Sequence, residues 1–283
     1  MTRLRLLPLF ILLALAVLLL TGFGPDLPFW SQWGANPQHS GMVGVLGQPL
    51  NTKIADIIYD PFVNQEKTEN QDLYGEAVLT AHYESTLIDG DSFYMEQKSG
   101  TYIDCHPLIG WLYGEDCGPN AWYWMIWNVA RYDWVNGQAV QSWIFSSDWK
   151  PEPNATNFLH GFVGLQGWEP VFHPALSSEY LYVPGAGGTL WKVDRTTGES
   201  VSHINPFLKI SIDPANTYVS SPLTAAADGD IYYNVLQLSG GGNPWQERDI
   251  AGAWLVRVRP DDSSSTVTYA TLVPDAPAAN STT

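Results

Sequence analysis

The sequence predicts an all-β protein, a β-propeller built from four-stranded antiparallel blades. Three observations carry that prediction. Hairpin-like phrases recur along the chain: GGTLWKVDRTTGES from Gly187 to Ser200, with looser echoes in WNVARYDWVNGQ (Trp127 to Gln138) and WLVRVRPDDSSS (Trp254 to Ser265). A repeated strand-turn-strand unit is the mark of a radial array. A second phrase, Asp-Gly-Asp followed by an apolar and aromatic run, occurs at Asp89 to Tyr94 and again at Asp228 to Tyr232. Finally, 20 Pro and 25 Gly interrupt almost every apolar run, which disfavours helices, while 13 Trp and 14 Tyr suit strands and packed sheets.

Bulk composition narrows the function classes. Hydrophobic residues make up 45% of the chain, enough for a sizeable core, whereas charged residues make up only 15%, below the roughly 25% usual for soluble proteins. The net charge of −16 argues against nucleic acid, whose phosphates require a basic patch. It argues equally against docking on anionic lipid.

Residues 1–24 read as an address. Arg3 and Arg5 precede an apolar run from Leu6 to Leu20, and Thr21-Gly22-Phe23-Gly24 follow. This is the pattern of a secretory signal or an N-terminal membrane anchor. A weak small-residue cleavage pattern leaves both forms open. The two arginines would stay inside and place the rest of the chain outside. The protein is therefore expected to be exported: extracytoplasmic, secreted or anchored. Residues 25–28 form a short linker. The two cysteines, Cys105 and Cys117, lie in one loop-like stretch and in an oxidising compartment read as a disulfide staple. The rival is a metal site using Asp104, Cys105, His106, Glu115, Asp116 and Cys117, without the ligand spacing of known zinc motifs.

The propeller itself is expected over residues 29–273. Leu50 to Tyr74 reads as an outer strand or a crossing between blades. Blade-like units follow at about 78–146, 170–207 and 220–273, and 274–283 is a tail. Within each unit a strand enters a second turn: Asn128-Val129-Ala130, Lys192-Val193-Asp194 and Arg257-Val258-Arg259. Asp194-Arg195-Thr196-Thr197-Gly198 is the best formed of these turns, with Gly198 supplying the positive φ. Propellers carry about four to eight blades. Either residues 29–75 supply a further, degenerate blade or the array is left open, and the second reading is favoured.

Two stretches resemble a known family. Phe29 to Gly41, FWSQWGANPQHSG, is similar to the entry motif of PQQ-like (quinoprotein-type) repeat propellers, through Trp33, Gly34, Asn36, Pro37, Gln38, His39 and Gly41. The strand followed by D-x-x-T-G at Asp194 to Gly198 resembles that family's repeat. The resemblance implies a propeller fold and a structural role for His39. Its enzymatic branch holds PQQ over a disulfide between adjacent cysteines, beside calcium and a catalytic Asp. Cys105 and Cys117 are not adjacent and no calcium set maps onto the chain, so the non-catalytic branch is expected, with no cofactor. PQQ and calcium stay as alternatives, the latter in the turns at Asp89, Asp91, Asp228 and Asp230.

No catalytic template is present: there is no GxSxG elbow and no HExxH. The candidate ligand-binding residues are aromatic: Trp111, Trp122 and Trp124 in a dense cluster, and Trp245 in the glycine-rich connection of the third unit. Exposed Trp on a propeller rim can stack on sugars or grip a peptide; packing between blades is the competing role. The sequence-level reading is an exported propeller that binds or scaffolds an envelope or extracellular protein or a glycan. The alternatives are a PQQ-dependent dehydrogenase-like enzyme and a glycan-binding protein.

Overall fold

The computed structural model describes residues 29–44, 46–47, 49, 51–65, 67–68, 85–102, 124–150, 171–239 and 250–276. The described strands form three antiparallel sheets. The first contains β1 (Phe29–Trp30), β2 (Leu87–Asp89), β3 (Ser92–Gly100), β4 (Met125–Val135) and β5 (Gln138–Ser146), in that spatial order. The second contains β6 (Ala175–Ser177), β7 (Tyr180–Pro184), β8 (Leu190–Asp194) and β9 (Ser200–Ile204). The third contains β10 (Thr217–Val219), β11 (Thr224–Ala225), β12 (Ile231–Leu238), β13 (Ile250–Val258) and β14 (Ser264–Thr268). There β10 and β11 both pair with β12, so they act as one opening strand interrupted at 220–223. Each sheet is a meander whose strand order follows the sequence. This is the blade topology of a propeller, and the fold is all-β and propeller-like.

Side-chain alternation explains how the sheets stack. In the second sheet, Leu181, Val183 and Val193 face the first sheet and join Leu87, Tyr94, Trp127, Val129 and Phe145 in one core. Their neighbours Tyr182 and Leu190 face the third sheet and join Ile231, Tyr233, Val235, Trp254 and Val256 in another. The period of two sends successive residues to opposite faces, so the middle sheet is apolar on both. Burying each of these large side chains contributes about 1.5–3 kcal/mol. Below, the front of a sheet is the face turned toward the next sheet in sequence, and the back is the other.

The opening hairpins differ in one respect that the repeated Asp-Gly-Asp phrase conceals. In the first sheet Asp89 pairs with Ser92 across a two-residue turn, with Gly90 at φ 62°. The second sheet does the same with Ser177 and Tyr180, and Ser178 takes φ 54° in the glycine's place. In the third sheet the Ala226 N–H donates to the Asp230 carbonyl at 2.8 Å, so the turn is one residue longer. The two Asp-Gly-Asp phrases are therefore out of frame. Register aligns Tyr94, Tyr182 and Tyr232, and their cross-strand partners are Arg131, Lys192 and Arg257. The strand alignment expected from sequence, with Asn128-Val129-Ala130 beside Lys192-Val193-Asp194, is three residues out in the first sheet.

Candidate functional site at the junction of the opening strands

The segment Phe29 to Gln32 crosses the opening strands of all three sheets. Its first two residues pair with β2, Phe29 opposite Asp89 and Trp30 opposite Ile88. The Ser31 carbonyl accepts the Leu176 N–H of β6 at 2.7 Å. Gln32, wholly buried, then uses its side-chain amide as a surrogate backbone against β11. Its Oε1 accepts the Ala225 N–H at 2.5 Å and its Nε2 donates to the Ala225 carbonyl at 3.3 Å. One short strand thus satisfies edge groups that would otherwise be left open on three sheets.

The rest of the entry motif folds the chain back on itself. Gly34 and Gly41 take φ 71° and 63°, and the Gly41 N–H donates to the Gly34 carbonyl at 2.9 Å. Asn36 Oδ1 accepts the Gln38 and Ser40 N–H groups at 3.1 and 3.2 Å, a local Asx turn. A Cβ on Gly34 would come within 2.8 Å of His39. The His39 ring stands edge-on to Trp33, centroids 4.8 Å apart, with Nε2 3.4 Å from Thr224 Oγ1. His39 is a packing residue in this arrangement.

Beside this fold-back lies an open cleft of about 730 Å³. The entry segment contributes Phe29, Ala35 and Met42 to its lining, and the turns Ser177-Ser178 and Ala226 to Gly229 contribute the next part. Tyr180 and Pro260 line it as well. Phe29 and Met42 are 52% and 76% exposed on the rim. Next to Tyr180 and Pro260, Lys192 Nζ donates to the Pro260 carbonyl at 2.8 Å and to Asp262 Oδ1 at 2.7 Å, and lies 4.4 Å from the Tyr180 ring centroid. Burial, with Asp262 and Tyr180 nearby, pushes the Tyr182 hydroxyl up to about 12, so it stays protonated as a neutral donor. Among the described residues of the lining, Asp228 is the one that carries a charge. Its Oδ1 accepts the Asp230 N–H at 3.2 Å.

Of the site residues expected from sequence, only Trp124 is among the described residues. Trp111, Trp122 and Trp245, and the cysteines Cys105 and Cys117, fall outside the described residues. Trp124 stands just before β4, 43% exposed, and its carbonyl accepts the Thr101 N–H at 3.0 Å; it does not line the cleft. The acidic turns engage cations of the protein. Asp89 Oδ2 lies 3.2 Å from Arg195, and Asp230 pairs with Arg257. Among the described residues no group of three or more His, Cys, Asp or Glu side chains is arranged to hold a metal ion. Sequence reasoning missed Phe29, Gln32 and Tyr180. Gln32 did carry a signal, a lone amide between Trp30 and Trp33.

No family model matches the chain, and no curated protein matches it. Among solved structures the chain is similar to a europium-containing methanol dehydrogenase, at 9% identity and a TM-score of 0.39, over 67% of this chain and 25% of that one. It thus spans about a quarter of that protein's length. The cleft does not fit a PQQ group. A tricarboxylate quinone needs cations, whereas the described lining residues offer only the Asp228 carboxylate, and Lys192 is turned to Pro260 and Asp262.

Proposed function

We propose that this chain is an exported, propeller-like binding module, and that the cleft takes a neutral or basic peptide segment of an envelope or extracellular protein. The observation that carries the proposal is the cleft's lining: the exposed apolar side chains of Phe29 and Met42 together with Ser177, Ser178 and, among the described lining residues, a single carboxylate, Asp228. Aromatic and methionine side chains are enriched where proteins meet. The net charge of −16 steers basic partners toward the surface and repels acidic ones.

Selection of a displayed random peptide library on the full chain tests the proposal. Enriched peptides should carry Lys or Arg beside apolar residues. Phe29→Ala and Asp228→Asn should each weaken them about tenfold, which is about 1.4 kcal/mol, with the thermal melt unchanged. The backbone pairing of Phe29 survives the first change, and an Asn oxygen can still accept the Asp230 N–H in the second. Peptides that bind both variants as well as the parent would sink the reading. So would a selection without enrichment, or one in which soluble oligosaccharides alone occupy the cleft.

A further inference from the structure

The opening and second turns of the three sheets lie at one end of the strands. Within a sheet they touch: the Trp134 N–H donates to the Asp91 carbonyl at 2.7 Å, and the Arg195 N–H to the Glu179 carbonyl at 3.2 Å. Between sheets they touch again. Arg131 and Lys192, on the front of their sheets, donate to the Arg195 and Pro260 carbonyls at 2.7 and 2.8 Å. Ser177 Oγ donates to the Gly229 carbonyl at 3.4 Å. Phe29 enters at this same end, opposite Asp89. The cleft is here too, since Phe29, Ser177, Gly229 and Pro260 all line it. The other end is well removed. The Tyr59 carbonyl accepts the Lys98 N–H at 2.7 Å, and from Ser92 to Lys98 β3 rises about 20 Å.

The stretch read as a membrane anchor ends at Gly24, five residues before Phe29. Fully extended, that connection spans roughly 17 Å. With residues 6–24 held in a bilayer, Phe29 and the cleft beside it stand within that distance of the surface. The Tyr59 end cannot be the one turned to the bilayer, because the length of β3 alone would lift Phe29 beyond the reach of its tether. The end that does face the bilayer carries Asp91, Glu179, Glu199, Asp228 and Asp261 exposed on its turns, while Arg195 and Arg259 are half-buried. Anionic headgroups repel such a surface, so the chain stands off the lipid instead of lying on it. A stand-off below roughly 17 Å leaves room for one extended segment, since packed sheets are spaced about 10 Å apart.

We infer that the segment taken by the cleft is juxtamembrane, part of an integral protein of the same bilayer that holds residues 6–24. The inference rests on the cleft being a peptide site and on the anchor being retained. Confinement to one membrane raises the effective concentration of the partner, so an open cleft holds a segment that it would bind weakly from solution. A Lys or Arg of that segment meets Asp228, and its apolar residues meet Phe29 and Met42.

The test places the full chain in phosphatidylcholine vesicles. Alkaline washing should leave it in the membrane. Energy transfer to a headgroup acceptor should put a fluorophore at Glu179 nearer the bilayer than one at Ile58, the exposed neighbour of Tyr59. The probe is the peptide enriched on the full chain in detergent. It is joined directly to a transmembrane helix, or held beyond a rigid helical spacer of about 40 residues, roughly 60 Å. The direct form should bind at least tenfold tighter, and Phe29→Ala should remove that preference. The same spacer inserted between Gly24 and Pro25 of this chain should reverse the order, which a misfolded chain could not do. The inference falls if washing releases the chain, if Ile58 lies as near the bilayer as Glu179, if the two probes bind alike, or if Phe29→Ala keeps the preference. A peptide that binds in detergent without any preference in vesicles overturns this inference alone. The absence of any such peptide overturns the reading of the cleft as well.

Discussion

Gln32 shows how much one side chain can hold at a strand junction. Its amide satisfies both backbone groups of Ala225 inside a dry region. Gln32→Ala strands a buried N–H and a buried carbonyl, and each costs about 1–3 kcal/mol when left unpaired. The expected loss is ~3 kcal/mol in a urea melt. Gln32→Glu should cost at least as much, since it removes the donor and buries a carboxylate. His173 gives a pH prediction at the same scale. Its ring is buried, Nδ1 accepts the Ser85 N–H at 3.3 Å, and burial lowers its pKa from 6.5 to about 4. Above about pH 6.5 the folded and unfolded chains both carry a neutral ring, and His173 adds no pH dependence. As pH falls, the unfolded chain takes the proton first. Stability should drop between about pH 6.5 and 4, by up to ~3 kcal/mol, and level off below. Chemical melts of the parent and His173→Gln across that window isolate the term; the variant's curve should be the flatter.

At the scale of the element, the second turn of the middle sheet is both a hairpin and a contact. Asp194 Oδ1 accepts the Thr196 and Thr197 N–H groups at 2.8 and 2.9 Å. The Thr197 bond first, and then the Thr196 bond, hold this carboxyl below the usual range. Gly198 closes the turn at φ 77°, and a Cβ there would sit 2.6 Å from Trp143 of the first sheet. Gly198→Ala should therefore cost about 1–3 kcal/mol, read as a lower denaturant midpoint with altered Trp fluorescence. This turn was legible in the sequence because everything that makes it lies within five residues. The fold class was legible too, since strand alternation and turn residues are local signals. The alignment of Arg131, Lys192 and Arg257 was not. The sequence phrases put Asn128, three residues before Arg131, beside Lys192 and Arg257, and only the pairing of β3 with β4 fixes the register of the first sheet. The cleft was hidden for a related reason. Phe29, Tyr180 and Asp228 meet only after three sheets have stacked, and no spacing along the chain records that.

For the molecule as a whole, the two cores share the middle sheet, whose alternate residues enter one or the other. Damage to either core should then be felt in both. Leu181→Ala leaves a cavity on the first-sheet side and should cost about 2–5 kcal/mol. Native-state hydrogen exchange should show the amides of β12 and β13 losing protection together with those of β4. Protection lost in β4 alone would mean that the sheets open independently.

The crossing segment also sets an order of events during synthesis. Phe29 to Gln32 leaves the ribosome before any described strand that it joins, yet Ala225 emerges 193 residues after Gln32. Until then Gln32 has no backbone to pair with, and the blades cannot be pinned at their shared edge. Contacts this distant in sequence delay folding. For a chain expected to leave the cytoplasm that delay is useful: a polypeptide that cannot lock its hub early remains threadable until most of it has been made.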